Sequence, residues 1–216
     1  MQHCTTLFVP SRFTQLPLIA IALVSGLCAQ NAALQTPVPP SAGPRNVVPQ
    51  ASDDPIDAAV RLRWLVHLNV SPAALLDDIA AGAEGTLSNT PKEYGPHWEG
   101  FGKRVGISAA NFGVETVMEA CLGSIWGEDP RYERAEGQPF ASRLGRVVKM
   151  TFFARNRAGN MVPAYARFLA IPGGNFLANT WMADSQATVG HAAERTGLGF
   201  LGRMGENAWA EFRPRR

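Results

Sequence analysis

The sequence is poor in cysteine, in histidine, in net charge and in long hydrophobic runs, and each shortage excludes something. There are three cysteines in 216 residues, Cys4, Cys28 and Cys121. The first two fall in an N-terminal leader, so removing it leaves Cys121 alone, and a single thiol cannot staple a fold. Set among Met118, Leu122 and Ile125, Cys121 reads as a small buried hydrophobe. A formal net charge of +2 is no footprint for nucleic acid, which asks for a clustered basic face. The one basic cluster, Arg213-Pro214-Arg215-Arg216, reads as a solvated tail. Beyond the leader the histidines are His67, His97 and His191. His191 and Glu194 sit three apart, but no further ligand stands at metal spacing, so neither metal nor cofactor is expected.

Two further absences narrow the fold. The longest uncharged stretch past the leader, Phe168 to Ala183, falls short of the ~18–20 residues needed to cross a bilayer, and Pro172-Gly173-Gly174 interrupts it. No run of two-residue alternation bounded by hairpin turns appears, so a sheet-based fold has little support. Nucleophile-elbow and phosphate-loop motifs are also missing. Gly197-Leu198-Gly199-Phe200-Leu201-Gly202 spells a dinucleotide fingerprint, but it lies inside a helical pattern with no strand before it, and reads as chance.

What is present begins with export. Arg12 precedes an apolar run from Leu16 to about Leu27, followed by small residues and a polar turn at Gln30-Asn31. A run of about 12 residues suits a signal-peptide core and is too short for a permanent span. Residues 1–29 are therefore expected to be a cleavable signal peptide, with Cys28 offering an alternative lipidation site. Residues 30–52, with Pro37, Pro39, Pro40, Pro44 and Pro49, are expected to be a disordered Pro/Ala-rich linker. Residues 53–213 then carry helix punctuation throughout.

The expected architecture is all-α, a compact bundle of about five or six helices with Gly-rich contacts. Asp53-Asp54-Pro55 opens the first helix, whose stripe is Ile56, Val60, Trp64, His67 and Leu68. Ser71-Pro72 opens the second, with Leu75, Leu76, Ile79, Ala80 and Ala83 as its core stripe. A third runs from about His97 to Leu122, where Gly102, Gly106 and Ala110 form a small-residue stripe for close packing. The fourth covers Ala141 to Ala154. Helical pattern resumes from Met161 to Ala170, breaks at Pro172-Gly173-Gly174 and continues from Asn175 to Ala183. The last helix, from about Thr188 to Phe212, carries Gly190, Gly197, Gly199, Gly202 and Gly205.

Few side chains invite chemistry. Glu115 and Glu119 share a helix face and could do acid–base work, although such pairs more often form a solvated or Arg-paired edge. Asp129-Pro130-Arg131-Tyr132 reads as a structural clasp between the third and fourth helices. An enzyme would have to bring Glu115, Glu119, Asp129 and His191 into one cleft. A carrier of an apolar small molecule or lipid would line a space with Trp64, Phe101, Phe112, Phe152 and Phe176.

The segments Gly100 to Gly106, Asp129 to Tyr132, Thr151-Phe152-Phe153 and Arg155 to Gly159 give the chain a resemblance. In their order and spacing it resembles a group of exported bacterial proteins of the acidobacterial type. The likeness covers about residues 91–213 and implies export and a shared domain, without an assigned activity. The expectation is an exported protein of the periplasm, cell envelope or exterior. It would be non-enzymatic and act by self-association, by contact with an envelope protein or by peripheral membrane contact.

Overall fold

The computed structural model describes residues 56–214; the expected signal peptide, the expected Pro/Ala-rich linker and Asp53-Asp54-Pro55 lie outside them. Among the described residues the chain is 70% helical and 4% strand, an arrangement of helices with one small hairpin. Helix α1 is Ala58–Val70, α2 Pro72–Leu87, α3 Trp98–Trp126 and α4 Phe140–Phe152, with a single 3-10 turn at Lys92–Tyr94. Strands β1 (Phe153–Arg155) and β2 (Met161–Pro163) pair antiparallel, and α5 (Tyr165–Ala178) and α6 (Val189–Phe212) complete the fold.

Local chemistry sets most of these boundaries. Ser71 accepts a hydrogen bond from the Ala74 amide at 3.3 Å with Pro72 behind it, and Thr188 accepts from the His191 amide at 3.1 Å. Ile56 and Asp57 are not helical, so α1 starts three residues later than the Asp-Asp-Pro signal implied, with the Asp57 carboxylate capping Val60 at 2.6 Å. Helix α3 continues to Trp126 and stops at Gly127, whose φ of 72° is cheap only without a side chain. At 29 residues it is about 43 Å long.

Two expectations fail here. Met161–Pro163 is a strand, not the start of a helix, because it pairs with the end of the fourth helical segment. Pro172-Gly173-Gly174 does not break α5, which runs through it. An ideal Cβ on Gly174 would lie 2.5 Å from Glu115 Cγ, and one on Gly173 2.8 Å from Met118 Cε. The glycines let α5 lie against α3, and that packing outweighs the hydrogen bond Pro172 cannot donate.

Helix α3 is central. It packs against α5 and α2 most extensively and also against α1, while α6 lies between α5 and α4. The close approaches are made at Gly82 on Val105, Gly85 on Arg104, Gly174 on Glu115 and Gly199 on Ile171. The stripe expected to serve this role on α3 does not. A Cβ added at Gly102 or Gly106 would meet nothing within 4 Å, and the same holds for Gly197, Gly202 and Gly205 on α6. Among the described residues no helix is long and apolar enough to cross a membrane.

Candidate functional site

The polarity of the domain is inverted. Among the described residues the buried hydrophobic set comprises nine alanines and five larger side chains, Val114, Val147, Met150, Ile171 and Trp181. Nine charged residues are equally buried: Arg61, Asp78, Arg104, Glu119, Glu128, Arg131, Arg167, Arg203 and Glu211. Outside, 23 large hydrophobic side chains are exposed. Single exposed hydrophobes are ordinary, but charged residues are seldom fully buried unless paired. Here most of them are paired or hydrogen-bonded.

The centre of the interior is Glu119 on α3. Its Oε1 accepts from Arg167 Nε of α5 at 2.9 Å and its Oε2 from Arg203 Nη2 of α6. Arg167 also donates to the carbonyls of Met150 and Thr151 at 2.7 and 2.8 Å, and Arg203 to Glu206 at 3.0 Å. One turn earlier, Glu115 accepts from Asn175 Nδ2 at 2.5 Å. Burial by itself would raise the Glu119 carboxyl, but the two guanidinium groups outweigh it and hold it below the usual carboxylate range. Glu115 goes the other way. Burial pushes it up to about 8, against the pull of Arg203 and the Asn175 bond, with the Glu119 charge adding to the rise. Of the two glutamates Glu119 is thus the Arg-paired alternative, turned inward, while Glu115 is held by Asn175.

Two more carboxylates hold the ends. Glu128 accepts from the amides of Tyr165 and Ala166, both at 3.1 Å, capping α5, whose own N-cap residue Ala164 offers no side-chain acceptor. Glu211 of α6 is fully buried and accepts from Arg143 Nε at 2.6 Å, Tyr132 Oη at 3.0 Å and the Ala135 amide at 2.9 Å. Asp129 is bound to Arg131 in a fork, 2.9 to 3.0 Å at Nε and 2.5 Å at Nη2. The Asp-Pro-Arg-Tyr segment is a clasp, but it joins the loop to β1 through the Asp129 amide and Arg155 carbonyl, and to α6 through Tyr132. It does not tie α3 to α4.

The four side chains an enzyme would need do not converge. Glu115 and Glu119 lie together on α3, Asp129 is occupied by Arg131 beyond the end of that helix, and His191 stands in the first turn of α6 beside Glu194 at 3.3 Å. Gly199 of α6 packs near Glu115, which puts His191 about 12 Å away along the helix axis. Among the described residues no three His, Cys, Asp or Glu side chains gather at a metal-binding spacing. Cys121 is half-buried on α3, beside the fully buried Ala120.

The aromatic residues proposed for a carrier cavity are also dispersed. Phe101 lies against α2 at Gly82 and stacks on Trp98, Trp64 lies under Arg203, and Phe152 stacks with Phe168 and Phe200 at 6.3 and 5.9 Å. A shallow open groove of about 420 Å³ beside α1 is lined by Leu62, Val66 and Val70 with Arg63, His67 and Ser71.

The exposed hydrophobes are ordered by helix. Leu75, Leu76 and Ile79, the expected core stripe of α2, face out, and α2 meets α3 through Asp78, Gly82 and Gly85. Leu144 and Val148 of α4 likewise face out while Val147, Met150 and Thr151 face in. On α5 the outward stripe is Tyr165, Phe168, Leu169 and Phe176, and on α6 it is Leu198, Leu201, Trp209 and Phe212. Sequence reasoning missed Arg167, Arg203, Glu128 and Glu211. For the three on helices, the signal was available as single charged residues on the side opposite the large hydrophobes. No family model, no curated protein and no solved structure matches this chain.

Proposed function

We propose that this is an exported, non-enzymatic protein of the cell envelope that acts through the outer apolar surface of its helical domain. The observation that carries the reading is the inversion: paired charges and alanine inside, Leu, Phe and Trp outside. Burying a large aliphatic or aromatic side chain contributes about 1.5–3 kcal/mol. A fold working wholly in water would gain by turning those stripes inward, and contiguous exposed apolar surface marks sites of protein or membrane contact. Among the described residues Asp129 and His191 stand apart from Glu115 and Glu119, which supports an interaction role.

The leader, the Pro-rich segment and the resemblance to exported bacterial proteins supply the compartment in this proposal. Fractionation of the native host with intact-mass measurement of the mature chain tests it. The expected result is recovery in the envelope fraction, released by detergent and not by salt, with a mass starting near Gln30 or at an acylated Cys28. A soluble monomer that crosslinks to no envelope component refutes it.

A further inference from the structure

Resting on that interaction-surface reading, we infer that the outer face of α5 and α6 is covered by the acyl chains of a lipid leaflet, with the domain lying in the membrane interface. The two helices form a layer with one side on α3. Helix α5 meets α3 through Arg167 and Gly174, and α6 meets it through Arg203. Tyr165, Phe168, Leu169 and Phe176 fall at i, i+3, i+4 and i+11, opposite Arg167 and Gly174 on the α5 cylinder. Leu198, Leu201, Trp209 and Phe212 fall opposite Arg203 on α6 in the same way. Both stripes therefore point away from α3, to one side, and Phe168 contacts Phe200 at 5.6 Å between the helices, making the surface continuous.

Charge decides the occupant. No charged side chain is exposed on α5; on α6 Arg203 and Glu211 are turned inward and the partly exposed Glu206 is paired with Arg203, while Glu194 stands exposed one turn before Leu198. The outward stripes of α1 and α2 differ, being edged by exposed Arg63, His67, Asp77 and Glu84. Arg213, exposed, follows α6 directly, and the sequence continues as Pro214-Arg215-Arg216. A predominantly aromatic and aliphatic surface, with Trp209 and Arg213 near the end of α6 and Glu194 at its edge, is the composition of an interfacial lipid contact. The interior agrees with it. Helices that gain nothing by burying Leu against Leu associate through small residues and polar pairs, as Gly174 on Glu115, Gly199 on Ile171 and Glu119 on Arg167 and Arg203 do here. A second copy would cover one patch. Leu144 and Val148 of α4, which packs on α6, are exposed as well, so the apolar surface is wider than a single patch.

The test is flotation of the purified mature chain with vesicles of phosphatidylcholine and phosphatidylglycerol in equal parts, some with brominated acyl chains. The wild type should float and its tryptophan fluorescence should be quenched, with Trp209→Phe removing much of the quenching. The double variant Leu198→Glu/Leu201→Glu alters only exposed positions and should keep its helical circular dichroism while losing at least about 100-fold in vesicle partitioning, since each carboxylate is strongly disfavoured in hydrocarbon. Leu75→Glu/Ile79→Glu on α2 should float as the wild type does. A wild type that ignores vesicles but sediments as a dimer dissolved by Leu198→Glu/Leu201→Glu overturns the lipid assignment and leaves the interaction surface standing, with a second copy on it. A wild type that stays monomeric and ignores vesicles overturns the lipid assignment, and host crosslinking then decides the broader reading separately.

Discussion

Neutralising Glu119 should uncover an energetic dependence between the two glutamates of α3. Glu119 is the acceptor for two buried guanidinium groups, and removing one partner of a buried ion pair costs about 3–5 kcal/mol. Part of that loss is recoverable. Arg167 keeps the Met150 and Thr151 carbonyls, Arg203 keeps Glu206, and Glu115 stands within electrostatic reach of Arg203. With its pKa near 8, Glu115 is mostly neutral at pH 7, and ionising it there costs roughly 1.4 kcal/mol at 1.36 kcal/mol per pH unit. Deleting the Glu119 charge removes the repulsion that helps keep Glu115 neutral and leaves Arg203 short of a partner, so Glu115 ionises in its place. Glu119→Gln should therefore cost about 2–3 kcal/mol at pH 7, at the low side of the range. Glu115→Gln alone should be close to neutral below about pH 4.5 and increasingly stabilising above it. The double variant should exceed the sum of the singles by about 1–3 kcal/mol, the usual coupling for residues in one network. Urea unfolding of the four proteins, followed by far-ultraviolet circular dichroism, measures this directly. Additivity within about 0.5 kcal/mol, or a Glu119→Gln loss below about 1 kcal/mol, refutes the reasoning.

The same carboxyl makes a prediction in pH. Glu115 has a folded pKa raised above its unfolded value of 4.5, so the folded state binds the extra proton between them. Its contribution is fully present below about pH 4.5 and is lost as pH rises to about 8, a fall of order 4–5 kcal/mol that Glu115→Gln should abolish in unfolding titrations. The glycines separate into two classes. Gly174→Ala and Gly199→Ala, with Cβ positions 2.5 Å from Glu115 Cγ and 2.7 Å from Ile171 Cγ2, should destabilise by about 1–3 kcal/mol, whereas Gly102→Ala and Gly106→Ala should stabilise by up to about 1 kcal/mol each in thermal melts. Finally, Glu211→Ala leaves Arg143, Tyr132 and the Ala135 amide without their shared acceptor. It should cost about 3 kcal/mol or more and expose the end of α6 to limited proteolysis well before the rest of the domain is cut.

Local chemistry in the sequence determined where most helices are. Ser71-Pro72 and Thr188 cap α2 and α6 as their residue types require, and the all-α character follows from helical spacing along residues 58–212. Periodicity also identified the two sides of each helix, since Leu75, Leu76 and Ile79 do form a stripe on α2. What it could not supply is which side faces in. A 3.6-residue period gives an axis of amphipathicity without a sign, and the sign normally comes from assuming water outside. Here that assumption reverses the answer, because Asp78, Gly82 and Gly85 meet α3 and the leucines do not. The glycine series carried the same ambiguity. Nothing local distinguishes Gly174, pressed on Glu115, from Gly106, facing open space. Pro172 shows why a local rule yields: the bond it cannot make within α5 is outweighed by packing that only the neighbouring helix provides. The charge network was the least legible of all. Glu119, Arg167 and Arg203 are separated by 48 and 36 residues in the chain, and each alone looks like a surface charge. Only the folding of α5 and α6 onto α3 brings them within hydrogen-bonding distance, where pairing makes their burial tolerable and turns the apolar stripes outward.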